Sequence, residues 1–201
     1  MQDWIARGSP DADEAVELAR SALANSPDDP SALRLAGHAV AWLARDLDAG
    51  RAALDRAVSL NINSAQILGS SGWVRLYRGD FDVARDHFAR AMRLSPLDPE
   101  LYFFQAGLAM ALALGEPAEP QRGLDLAERA LIGRPDWRSA MQSRIYCLLK
   151  LGRVDEARRT AQRLLVNWPG ETLSAMRCRS PHRAHVVDLS IALLRQAGLP
   201  E

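Results

Sequence analysis

Lysine is almost missing from this chain: Lys150 is the only one, and arginine carries the rest of the positive charge. Any excess of charge is missing too, since 25 basic residues are cancelled by 25 acidic ones. Without a basic surface to neutralise phosphates, a general nucleic-acid binder is not expected. Cysteine is scarce. Cys147 and Cys178 are too few for a disulfide framework, and no CxxC pair exists to hold zinc. The longest apolar stretch, around Leu108 to Leu114, falls far short of the roughly 20 residues that span a bilayer. The start, Met1-Gln2-Asp3-Trp4, lacks the basic and apolar segments of a secretory leader. The expectation is a soluble cytoplasmic protein with no membrane partner.

Catalytic groupings are lacking as well. Gly69-Ser70-Ser71-Gly72 falls on a helical pattern and has no following lysine, so it is not a phosphate loop. His182 and His185 lie three apart without acidic or cysteine neighbours, which reads as an ordinary pair rather than a metal site. His38 and His87 are single helical histidines and read as structural. Cys147 sits on an apolar stretch and reads as a core residue. Cys178, between Arg177 and Arg179, has flanking charge that favours a thiolate, although a solvated linker explains the segment more simply. Nothing assembles into a nucleophile, a base and an orienting group. No enzyme activity, cofactor or metal is expected.

What the chain does have is a beat. A small residue is followed seven positions on by another, and five further by proline: Ala15, Ala22, Pro27; Ala84, Ala91, Pro96; Gly123, Ala130, Pro135. Gly50 and Ala57 keep it with Ile62 in the proline place, and Ala157, Leu164 and Pro169 keep it with leucine in the second place. Counting back divides the chain into units at 30–64, 65–98, 99–137 and 138–171. Two of these have the 34-residue period of tetratricopeptide (TPR) arrays. The unit 99–137 carries five extra residues, most simply placed in Gly115-Glu116-Pro117-Ala118-Glu119-Pro120.

Each unit is predicted to be two antiparallel helices joined by a tight turn. Gly37 and Gly72 fall inside first helices, where glycine costs about 1 kcal/mol relative to alanine, so close backbone approach is the reason for them. Gly79 and Gly152 stand just past helices, where a left-handed residue is needed. Asp80, Asp98 and Ser31 are candidate N-caps. Predicted helices cover 11–25, 31–44, 47–60, 64–78, 81–94, 98–114, 120–133, 137–151, 154–167 and 183–197. Apolar residues recur at three and four rather than two, so no strand is expected. The fold class is an all-α, TPR-type solenoid.

Residues 1–29 form a partial repeat whose first helix could come only from Gln2 to Arg7. The chain therefore reads as beginning inside a repeat of a longer protein, with Trp4 and Ile5 covering an open end or pairing with a second copy. After Glu171, residues 172–201 read as an irregular stretch to Pro181 and a terminal helix sealing the last repeat through Val187, Ile191 and Leu194.

The TPR resemblance implies where a partner would lie. In that family, positions 5, 9, 12 and 13 of each first helix face a concave groove. These are Arg34, His38, Ala41 and Trp42 in the first full unit; Gly69, Trp73, Leu76 and Tyr77 in the second; Phe103, with Gly107 and Met110, in the third; Gln142, Tyr146, Leu149 and Lys150 in the fourth. Trp42 and Trp73 suit either the groove or packing between units, and Phe103, beside Tyr102 and Phe104, suits packing better. A groove rich in tryptophan and tyrosine fits a peptide or protein partner. The lysine and asparagine set of chaperone-tail clamps is not there.

Further phrases narrow the resemblance: 95–104 (SPLDPELYFF), 133–137 (GRPDW), 151–158 (LGRVDEAR) and the ending 198–201 (GLPE). They resemble the C-terminal TPR regions of bacterial class III adenylate/guanylate cyclases and of winged-helix transcriptional regulators. The resemblance implies a scaffolding tail of a signalling protein, with the chemistry in another domain. Self-association that pairs effector domains and small-molecule sensing are the alternative readings.

Overall fold

The computed structural model describes residues 9–201. Trp4, Ile5 and the rest of the expected first helix lie outside them. Among the described residues the chain is helical throughout, with no strand. Helix α1 (Pro10–Asn25) comes first. Then come four pairs: α2 (Pro30–Ala39) with α3 (Leu47–Leu60), α4 (Ala65–Arg78) with α5 (Phe81–Leu94), α6 (Leu101–Leu114) with α7 (Pro120–Gly133), and α8 (Arg138–Lys150) with α9 (Val154–Asn167). Two more helices follow, α10 (Leu173–Arg179) and α11 (Ala184–Gln196).

Local chemistry sets most boundaries. Ser9, Asp29, Asp46, Ser64 and Thr172 accept backbone N–H groups of the first turns of α1, α2, α3, α4 and α10. Asp29 therefore caps α2, in place of the expected Ser31. Asp80 makes no cap bond; its carboxylate pairs with Arg75 and Arg78 instead. Asp98 accepts from the Glu100 N–H and from Gln66, and the helix starts later than expected, at Leu101. Helices α1, α5, α7 and α9 each end two residues before the recurring proline. Helix α3 ends in the same register although Ile62 replaces that proline. Packing of the repeat, rather than proline alone, fixes where the second helix stops.

The small residues serve close approach. A Cβ on Gly50 would stand 2.6 Å from the Ala41 Cβ and 2.7 Å from the Gly37 carbonyl, so α2 and α3 cross with their backbones almost touching. A Cβ on Gly107 would stand 2.2 Å from the Phe88 ring, which fills the space between the second and third units. The first helices of successive units touch one another (α2 with α4, α4 with α6, α6 with α8), and the second helices make no comparable contact. The array therefore curves with the first helices on its inner side. The inserted turn folds against the preceding unit, where Arg85 donates to the carbonyls of Ala111 and Pro117.

Two features depart from the sequence reading. Helix α2 continues through Val40–Ala44 as a π-helical turn and ends on Arg45, a non-glycine residue at φ 58°. The stretch expected to be irregular contains α10. Helix α11 packs on α8, the first helix of the last unit, and on α6 of the inner side. The tail thus folds back as a helical hairpin, closed by a bond from the Leu173 N–H to the Pro200 carbonyl.

Candidate functional site

The inner side carries a run of aromatic rings that crosses the unit boundaries. Trp42 and His38 of the first unit meet Tyr77 at 5.8 and 6.2 Å between ring centres. Tyr77 meets Trp73 at 5.9 Å, Trp73 meets Phe103 at 5.3 Å, and Phe103 meets Trp137 at 6.4 Å. Such pairs contribute roughly 0.5–1.5 kcal/mol each beyond the area they bury.

The predicted groove residues divide in two. Trp73 is 1% exposed; its indole donates to the Phe103 carbonyl at 3.3 Å and its ring meets Phe88 in a T-shaped pair, so it joins the second unit to the third. Tyr77 is fully buried, with the His182 ring edge-on at 4.9 Å. Tyr146 is fully buried beside Ser190 of α11, and burial pushes its phenol above the ordinary value. Gln142 is buried and donates to Glu171 at 3.4 Å. Trp73 is thus covered by a neighbouring unit and Tyr77 and Tyr146 by the tail, whereas Gln142 meets Glu171 of its own unit. Lys150 is exposed at the last position of α8.

Arg34, Trp42 and Phe103 keep part of their surface. Burial lowers the Arg34 pKa and the charge of Glu100 opposes that. His38 is 8% exposed beneath the rings. Burial, with the Arg34 charge adding to it, lowers its pKa to about 4. Together these residues make a partly open aromatic and basic patch on the first and third units.

Several residues that shape this face were not foreseen. Glu171, 1% exposed, pairs with Arg138 and Arg179, and Arg138 also lies 4.0 Å above the Trp168 ring. Trp137 precedes α8 and joins the ring run. Between these groups and the tail is a recess of about 60 Å³, lined on one side by Trp42, Tyr77 and Trp137 and on the other by Met176, Arg179 and His182. It has room for one side chain or a few waters, against about 300–1,000 Å³ for sites that enclose a drug-sized ligand. Cys147 is buried, and its thiol is pushed up to about 12 by that burial, as suits a core cysteine. Among the described residues, no group of three or more histidine, cysteine or acidic side chains is placed to hold a metal ion, and no helix is long and apolar enough to cross a membrane.

The sequence matches the tetratricopeptide repeat family at residues 71–119 and 108–172, half of the chain when joined. This chain belongs to the TPR family. No curated protein matches it significantly. Among solved structures, the TPR chain resembles YrrB, described as a TPR protein with an unusual peptide-binding site, with 19% identity and a TM-score of 0.57 over 89% of this chain and 93% of that one. It resembles PilW, a type IV pilus biogenesis factor, with 15% identity and a TM-score of 0.64 over 94% and 90%. A thermophilic TPR protein of Thermus thermophilus gives 20% identity and a TM-score of 0.63 over 84% and 88%. At these identities the likeness is one of fold.

Proposed function

We propose that this TPR chain is an interaction scaffold that binds a segment of another protein on its inner side, at the patch formed by Arg34, His38, Trp42 and Phe103. The observation that carries the reading is the partial exposure of Arg34, Trp42 and Phe103 on a face whose other aromatic residues are covered. Tryptophan and arginine are the side chains that most often anchor a desolvated interface. The peptide-binding site of YrrB, on a similar fold, supports the same direction. The phrases shared with tails of class III cyclases and winged-helix regulators support a place in signalling, next to an effector domain. Chemistry is not assigned to these residues.

The test is capture of binding partners from source cells by the chain and by a Trp42→Ala/Arg34→Ala variant of unchanged helicity. A partner retained by the first and lost by the second is expected. Equal retention by both would move the binding surface to the outer helices or the ends.

A further inference from the structure

The tail does more than close the array. From Glu171, held under Arg138 and Arg179, α10 crosses the inner side toward the first unit. There the Arg45 guanidinium donates to the Cys178 carbonyl. Ser180 and Arg183 are extended, with φ/ψ of −63°/133° and −60°/151°, both close to polyproline II, and the chain bends between them at His182, whose N–H donates to the Ser180 hydroxyl at 3.3 Å. The His182 ring stands on Tyr77, and its Nδ1 is 2.8 Å from the Ser180 hydroxyl. The Arg183 N–H donates to the Tyr77 carbonyl at 2.8 Å, and its guanidinium pairs with Asp48 at 3.5 Å.

These contacts have the form of peptide recognition. The Tyr77 carbonyl belongs to the last turn of α4, where carbonyls have no partner within the helix and accept from outside. Gly79, at φ 88°, leaves space that a Cβ would close, since it would stand 2.4 Å from His185 Nε2. Arg45, which reaches the strap formed by residues 178–185, owes its position to the π-helical turn and its left-handed backbone, a conformation disfavoured for arginine. The first unit departs from regular helix where the tail docks.

We propose that residues 178–185 are an intramolecular ligand of the inner face, and that the partner replacing them is a proline-containing peptide that sets a ring on Tyr77 and an N–H on its carbonyl. This rests on the binding reading above and names the partner's chemistry. A tethered segment acts at an effective concentration of order millimolar. A free peptide must therefore outcompete it, and its apparent affinity falls by the fraction of chains that are open. Helix α11 stays docked through Val186, Val187, Ile191 and Leu194, all buried, so only the strap has to lift.

The test uses the full chain and a labelled peptide of residues 177–185 carrying Cys178→Ser. In the His182→Ala/Arg183→Pro variant the ring, the N–H and the ion pair are removed, while φ at 183 already suits proline. Hydrogen exchange at 178–185 should speed up, and the peptide should bind at least tenfold tighter than to the unaltered chain. A peptide carrying the same two substitutions should not bind. Should the double variant lose helicity, Arg183→Pro alone carries the test, with a smaller gain in the same direction. Exchange that stays slow, or a strap that opens without any gain in peptide binding, overturns the proposal. If that happens while Trp42→Ala/Arg34→Ala still abolishes partner capture, the latch fails and the scaffold reading stands.

Discussion

Equivalent positions in the first and second units have different fates. The last inward position of the first helix is Trp42 in one and Tyr77 in the other; Trp42 keeps part of its surface, and Tyr77 is fully buried under His182. Both belong to the same face by repeat geometry. What separates them is the tail, which arrives from the far end of the array, sets His182 on Tyr77 and meets the first unit at Arg45 and Asp48. A position in a repeat therefore specifies the direction a side chain takes from its helix. Whether it reaches solvent depends on elements outside the repeat.

The comparison breaks first on stability. Trp73→Ala removes a buried ring that touches Phe88, Tyr77 and Phe103 and donates to a backbone carbonyl, and is expected to cost about 3–5 kcal/mol. Trp42→Ala, from the open part, is expected to cost about 1 kcal/mol. Urea unfolding of both variants measures the gap. Equal losses would mean that Trp42 belongs to the core as fully as Trp73 does, and the division of the face would be wrong.

Acid sharpens the comparison from another side. His38 takes up its proton near pH 4 in the folded chain and near 6.5 in the unfolded one. Between those values the unfolded state holds more protons, so stability falls as pH drops from 7 and levels off below 4. The full effect is about 3 kcal/mol. His182, lowered to about 3 by burial, adds in the same direction. Urea midpoints across this range should slope less for His38→Gln than for the unaltered chain. Identical slopes would place His38 in water and open the patch further than its burial indicates.

The repeat register made the solenoid legible. The beat of Ala84, Ala91 and Pro96 reports close helix contact inside a unit, and that contact is local in sequence, so the predicted helix ends fall within three residues of those observed except at α2, whose last turn is π-helical. The site was less legible for a physical reason. The covering of Tyr77 and Tyr146 depends on contacts across about a hundred and about forty residues of chain, which no periodicity encodes. Helix α10 was hidden because Leu173–Arg179 is two turns long and lies between Pro169-Gly170 and Ser180-Pro181, which read as loop. The π-helical turn left no trace, since Val40–Ala44 is as apolar as the helix before it. One signal was available: with Leu173, Met176 and Leu199 added to the face of α11, the tail has more apolar surface than the end of one repeat would cover.

The smallest expected effect lies at the other margin of the tail. Lys150 occupies in the fourth unit the place held by Trp42 and Tyr77 in the first and second, so repeat geometry alone would make it a groove residue. It ends α8 in solvent, where a cation adds only a few tenths of a kcal/mol through the helix dipole. Lys150→Ala should change stability by less than about 0.5 kcal/mol and leave partner capture intact. A loss of binding on this substitution would extend the functional surface past α11 to the last unit, and the tail would then divide a continuous site instead of bounding it.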